Sequence, residues 1–427
     1  MDESPSDIAA LLVVHQPDIQ KRLQQRMSFV CISSILYRAL LRKIAMHPIV
    51  QRLSELVVTH RWEESFKSAL RDVALQNVPA LAAIRTFDDY LNYIDEMVGW
   101  APRESGDSRL VHDKLVEFYF VLDQPALRAL QSPIAPGGSS QALTPLSMWI
   151  VDFATAWGRY LDESASAKHI DSFRCNPAFC WDDYMPPPSG YRTFNQFFAR
   201  HVKPGRRPIA ALNDPTVIVS PADASFMGQW FIAADSTLMV EVPLVEAKGL
   251  RWSIAELLSG SQFADRFAGG VFSHVALRTF DYHRFHSPVS GTVLEARIIQ
   301  GQAYLDVDVI ESNDGVGESP KRQLHAVEGT GYQFVQTRGL VVLDSPIGLV
   351  ACLPVGMAQV SSVVLTAEVG AVLRKGEEIG YFQFGGSDFV MVFERDSQIE
   401  IACQADEHFL QGQEIARSRR PLEIENR

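Results

Sequence analysis

An α+β chain is what the sequence predicts, with a helical N-terminal part and a β-rich C-terminal part. Three observations carry this. Apolar residues recur at helical spacing through much of 1–163. From residue 215 the texture changes to short runs of β-branched and aromatic residues bounded by turn residues. Between them lies Met185-Pro186-Pro187-Pro188-Ser189-Gly190, a stiff connector that sets the expected domains at 1–189 and 190–427.

Residues 1–26 read as a polar lead-in. Phe29, Ile32, Leu36, Leu40 and Ile44 form one helical stripe, with Ser34, Arg38 and Arg42 opposite, and Pro48 is expected to end or kink that helix. A bundle helix is the preferred reading and a helix lying on a membrane surface the sharper one. Further helices are expected at 61–75, 79–99, 108–121 and 144–163. The last has Thr144 as N-cap and Pro145 at the first helical position. Pro133 to Ser140 is a loop. Phe194, Phe197 and Phe198 are helix-spaced, and Ser253 to Leu258 is a short helix. Strands are expected at 216–220, 237–242, 270–277 and 304–309, with a polar loop at 311–321. A hairpin is expected around Ser345-Pro346, then strand, turn and strand from Val363 to Phe393.

Composition narrows the function. The chain has 427 residues, is 47% hydrophobic and 21% charged, and carries a net charge of -12. That balance argues against a nucleic-acid partner and against tight adhesion to anionic lipid. Cys31, Cys175, Cys180, Cys352 and Cys403 form no zinc-like pair and read as reduced thiols. The acidic start, Met1-Asp2-Glu3, resembles no secretory or transit signal. Arg38, Arg42 and Lys43 interrupt the early apolar run, so no spanning segment is expected. A cytoplasmic location follows, with peripheral membrane attachment as the alternative.

Two segments echo one another. Ser287 to Val293 and Val369 to Gly380 resemble the hairpins of biotinyl and lipoyl carriers, which implies a small barrel-sandwich core. They also raise a non-enzyme alternative, a carrier or binding protein with Lys375 at an exposed turn.

The chemistry-bearing residues are spread wider. They are Ser220-Pro221-Ala222-Asp223, then Tyr282-His283-Arg284-Phe285-His286-Ser287-Pro288, then Phe384-Gly385-Gly386-Ser387-Asp388. Each alone has a bland reading: a turn, a pair of core histidines, a glycine turn. A hydroxyl, an imidazole and a carboxylate together are the parts of an activated nucleophile, with Ser387 attacking, His286 as base and Asp223 as its orienter. Arg284 is read as fixing its loop by hydrogen bonds, and His274 and His325 as structural.

In these motifs the chain resembles the phosphatidylserine decarboxylase family, over roughly 190–395. Phe384-Gly385-Gly386-Ser387, Gly356-Met357 and Trp157-Gly158 are closer to the soluble fungal tryptophan-decarboxylase branch, the type found in psilocybin biosynthesis. The resemblance implies self-cleavage between Gly386 and Ser387. The products are a chain of 1–386 and its partner 387–427, whose Ser387 becomes a pyruvoyl group. That self-made cofactor replaces pyridoxal phosphate, and no metal is implied. It accepts electrons as an amine-bearing substrate loses carbon dioxide. His283 is implied as the helper that returns a proton, at a pKa near ~6.5. The implied substrate is a free aromatic L-amino acid, tryptophan first, with phosphatidylserine as the alternative. Asp388 replaces the family's usual small hydroxyl residue. Its charge is expected to bear on a substrate carboxylate or on a nearby histidine.

Overall fold

The computed structural model describes residues 46–105, 109–240, 250–312, 321–326, 331–356, 362–384 and 386–421. Met357 and the expected stripe from Phe29 to Ile44 lie outside them. Contacts divide the chain into two units, 1–51 and 52–427.

Pro48 opens α1, which runs Pro48–His60, and the helix it was expected to end or kink lies outside the described residues. The proline's fixed φ and missing N–H suit a first helical position. There follow α2 (Glu63–Leu75), α3 (Phe87–Val98), α4 (Leu110–Leu122) and α5 (Pro145–Leu161). The expected helix at 79–99 is interrupted, because Thr86 caps α3. Its hydroxyl accepts from Asp89 N–H at 3.2 Å, and the Asp89 carboxylate accepts from Thr86 N–H at 2.9 Å. Thr144 caps α5 as expected, accepting from Ser147 N–H at 3.3 Å. Trp149, Phe153 and Trp157 form the buried face of α5. Two short helices follow, α6 (Phe194–Phe198) and α7 (Ile254–Leu258).

The main strands are β1 (Ala224–Phe231), β2 (Val271–Ala276), β3 (Arg284–His286), β4 (Gly291–Ile299), β5 (Arg338–Ser345) and β6 (Gly348–Gly356). They continue with β7 (Val363–Leu365), β8 (Val372–Leu373), β9 (Glu378–Phe382), β10 (Gly386–Phe393) and β11 (His408–Phe409). Eight of them form one antiparallel sheet in the order β8-β4-β5-β6-β10-β2-β1-β11, and a second sheet has the order β7-β9-β3. The predicted hairpin is β5–β6, closing at Ser345 opposite Gly348. The expected loop at 311–321 is shorter than its range, because Ser312 and Lys321 pair as the inner ends of a hairpin. One core cluster contains Trp252, Phe272, Phe334, Leu340, Val342, Leu353 and Val390.

The α+β class is what the structure shows. No sheet closes into a barrel among the described residues. The echoing segments are partners, since β8 pairs with the start of β4. The carrier reading fails at Lys375. That residue is only 2% exposed, and its amine donates to the carbonyls of Ala211 and Asp214 at 2.9 and 2.7 Å. An amine tied to two carbonyls in a buried site is no swinging arm. None of the described helices is long and apolar enough to cross a membrane.

Contacts cross the expected 189/190 boundary. Tyr304 Oη donates to Asp123 at 3.2 Å, and Arg322 donates to the Gln76 carbonyl at 2.9 Å. Asp306 shares the Asp123 site. Burial first, and then the Asp123 charge, pushes the Asp306 carboxyl up to about 7. A raised acid pKa means the folded chain holds a proton that the unfolded chain has lost above its ordinary value of 3.8. Its contribution therefore declines as pH rises to about 7. Replacing Asp306 with Asn should raise the melting temperature relative to the parent more at pH ~8 than at pH ~4. Thermal melts at both values check this, and a gap that is constant or larger in acid would contradict it.

Candidate active site

β10 is the buried central strand of the large sheet, and its first two residues are Gly386 and Ser387. Against β6, Gly356 pairs with Gly386 and Val355 with Asp388, so Ser387 is one extra residue in β10. Against β2, pairing starts only at Asp388 opposite Ala276. The Gly386–Ser387 peptide therefore sits in a β-bulge at the end of the strand, where Gly386 still pairs with β6 and the strand beyond Asp388 is locked on both sides. Bulges release pairing and re-aim the chain locally, and they gather beside active sites.

The histidine motif is brought to this region by backbone bonds. Phe382 N–H, in the segment leading into Gly386, donates to the His283 carbonyl at 2.8 Å. His286 N–H donates to the Pro221 carbonyl at 2.8 Å, which joins the two upstream motifs. His286 Nδ1 lies 2.9 Å from the Gly376 carbonyl. A carbonyl only accepts, so Nδ1 carries the hydrogen and Nε2 keeps its lone pair. Tyr282 Oη donates to that lone pair at 3.1 Å. Gly376 has φ +85°, and a Cβ there would come within 2.4 Å of Ile209, so only glycine presents this carbonyl. Burial lowers the His286 pKa, which leaves a neutral imidazole suited to act as a base.

His283 is fully buried, its ring stacked 3.8 Å from that of Phe198. Neither ring nitrogen makes a hydrogen bond of normal geometry. Burial, and then the Arg200 charge, holds its pKa well below 6.5. The expected value near 6.5 for a proton donor is thus corrected. At neutral pH this imidazole is uncharged, so any proton it donates comes from a neutral ring N–H or one taken up during the reaction.

Asp223 is buried and claimed by other partners. Arg207 grips it with two prongs, Nε to Oδ1 at 2.8 Å and Nη2 to Oδ2 at 2.6 Å, and Gln411 N–H donates to Oδ1 at 2.8 Å. The group that orients His286 here is the Gly376 carbonyl, while the Asp223 charge is only a minor upward influence on His286. Arg207, Tyr282 and Gly376 had no role in the sequence reading. Arg284 fixes its loop as expected, reaching the Ala199 carbonyl at 2.8 Å and Glu378 at 2.9 Å.

Asp388 lies on the opposite face of the sheet from Phe389, whose ring packs 5.7 Å from that of Phe285 in β3. Its carboxylate meets Gln333 Nε2 at 3.1 Å, His274 Nε2 at 3.2 Å and the Tyr332 hydroxyl. The histidine it touches is therefore His274, two positions along the same face. A lone His274 in a strand gave no sign of this partner.

A family model described as phosphatidylserine decarboxylase matches residues 194–417. Phosphatidylserine decarboxylase proenzyme 3 of Schizosaccharomyces pombe is 34% identical over 238 residues, 56% of this chain and 22% of that one. The proenzyme of Fusobacterium nucleatum subsp. nucleatum is 31% identical over 249 residues, 58% of this chain and 75% of its own. Decarboxylase iboD of Amanita muscaria is 34% identical over 211 residues, 48% of this chain and 59% of that one. The chain thus spans about a fifth of the Schizosaccharomyces relative and three quarters of the Fusobacterium one. The chain belongs to the phosphatidylserine decarboxylase family, a family of carboxy-lyases that depend on a pyruvoyl group. The site fits such a group, since a bulged Gly-Ser peptide adjoins a segment bonded to His283, whose buried nitrogens make no hydrogen bond of normal geometry.

The Arg207–Asp223 pair has both side chains 4% exposed. Removing the cation leaves a buried carboxylate uncompensated. Arg207→Ala should therefore destabilise the chain by about 3–5 kcal/mol, and Asp223→Asn in that background should recover part of the loss. Denaturant unfolding of the two variants checks this. Equal stability of parent and Arg207→Ala would show the pair to be dispensable.

Proposed function

We propose that the chain is a self-processing decarboxylase that makes its cofactor at Ser387. The observation that carries the reading is the bulge at the Gly386–Ser387 peptide, in a segment whose Phe382 is bonded to the histidine motif, where burial keeps both imidazoles neutral. Ser387 Oγ attacks the Gly386 carbonyl, and His286 takes the hydroxyl proton. The peptide nitrogen leaves as the bond shifts to an ester. Elimination frees the Gly386 carboxylate and leaves dehydroalanine, which hydrolyses to the pyruvoyl group with release of ammonia. Asp223 contributes through the Arg207 pair and the backbone of its turn, which meets His286. The pyruvoyl group supplies an electron sink for loss of carbon dioxide from an amine-bearing substrate. His283, desolvated and without a hydrogen bond of normal geometry, holds the proton returned to the product.

The substrate reading is a free aromatic amino acid, tryptophan first, resting on Phe384-Gly385-Gly386-Ser387, Met357 and Trp157-Gly158. Phosphatidylserine is the second reading, favoured by the names of most relatives. Neither requires a membrane-spanning helix. A cytoplasmic enzyme fits the first reading, and one bound to a membrane surface fits the second.

Ser387→Ala should remain one chain with no activity. His286→Ala should slow cleavage by ~10²–10⁴-fold. A base with a lowered pKa stays competent in acid, so the cleavage rate should hold through pH 6.5 and fall only below it. A rate that already falls above 6.5 would remove His286 as the base. Carbon dioxide release from tryptophan, tyrosine and phosphatidylserine vesicles, assayed in parallel, tests the substrate. Tryptamine formation is expected, and faster release from the vesicles would overturn the amino-acid reading.

A further inference from the structure

The segment entering the cleavage site is gripped by the helical region. Phe384 is fully buried, and its ring meets Trp157, Phe194 and Phe198 edge-on, each with centroids 5.2 Å away. Phe198 is also the ring on which His283 stacks. Between these rings lies Asn195, which is 4% exposed. Its Oδ1 accepts from Phe384 N–H at 3.2 Å. Its Nδ2 donates to the Asp162 carboxylate at 2.9 Å and to the Gly158 carbonyl at 3.3 Å. Both acceptors are at the C-terminal end of α5. A primary amide is the side chain that offers one acceptor and two donors at this reach.

We propose that Asn195 is a positioning residue for self-cleavage, tying the end of α5 to the backbone two residues before Gly386. The proposal rests on the reading of Gly386–Ser387 as a self-cleaved bond. Gly386 pairs with Gly356 of β6 and the β2 pairing includes Asp388, so the scissile peptide takes its placement from the Gly356 pairing and from what holds the strand on either side. On the C-terminal side that is the ladder from Asp388 onward. On the N-terminal side it is the Asn195 bond and the three rings around Phe384. The Phe198 ring shares this clamp with His283, so the peptide and the imidazole are registered to one support. Attack by a neighbouring hydroxyl demands near-contact geometry, and a misplacement of ~1 Å costs about 10²-fold in rate. The helical region thereby acquires a part in maturation without supplying a reacting group.

The test follows cleavage of the full chain over time in cell-free translation, beside melting temperatures of the products. The variants are Asn195→Ala, Asn195→Asp, the exchange N195D/D162N, and Leu70→Ala, which opens a cavity in the buried face of α2. Asn195→Ala and Asn195→Asp should cleave about 10²-fold more slowly than the parent. The first leaves Phe384 N–H unpaired, and the second sets two carboxylates against each other. N195D/D162N restores a donor–acceptor pair and keeps the acceptor for Phe384, so it should recover most of the rate. Leu70→Ala should lose stability and cleave at the parental rate. An exchange variant no faster than Asn195→Asp overturns the proposal. So does a Leu70→Ala chain as slow as Asn195→Ala, or an Asn195→Ala chain as fast as the parent. A parent that never cleaves overturns the self-cleavage reading, and the clamp's role with it. That result is told apart from failure of the clamp alone, in which the parent cleaves normally.

Discussion

The strand Gly386–Phe393 is under a double demand. From Asp388 onward it is paired on both sides and buried, with Phe389, Val390, Val392 and Phe393 fully inaccessible. Under the proposed self-cleavage, its first peptide must also be free enough to react. The bulge at Ser387 reconciles the two, because it interrupts the β6 register between Asp388 and Gly386 while both of those residues stay paired. Much else follows from that position. The β7-β9-β3 sheet brings the histidine motif alongside through Phe382, and α5 and α6 close on Phe384 from the other direction.

The electrostatics are those of a desolvated site. Both imidazoles titrate below the ordinary histidine value because burial disfavours their charged forms. The buried charges are met by an opposite charge or by hydrogen bonds. Arg207 neutralises Asp223, and a set of polar side chains surrounds Asp388. Arg200, also buried, donates to the carbonyls of Phe280 and Asp281 at 2.7 and 3.1 Å, just ahead of the histidines. A site of this kind holds its bases neutral and its geometry fixed without exposing charge to water.

How much of this was legible in the sequence depended on distance along the chain. Local signals read well. Thr144-Pro145 starts α5, Ser345-Pro346 turns the β5–β6 hairpin, and the phenylalanines of α6 lie on a buried helix. Thr86 was passed over because the apolar pattern ran on through Pro79, and the capping box decided the helix start instead. The three motifs were visible as residue types. Their partners were not, because they come from remote positions. His286 takes its tautomer from a carbonyl 90 residues away, and Phe384 takes its hydrogen bond from Asn195, 189 residues away. Lys375 looked exposed because a glycine turn follows it. The carbonyls of Ala211 and Asp214 bury it instead.

The central claim is that the buried strand carries a peptide bond which the chain itself breaks. Intact-mass measurement of the purified, unmodified protein tests it most directly. Two pieces should be found, one ending at Gly386 and one beginning at residue 387. The smaller should weigh about one ammonia less than its sequence, and it should resist N-terminal sequencing because a ketone replaces its amine. A single chain of full mass that nonetheless releases carbon dioxide from its substrate would contradict the account.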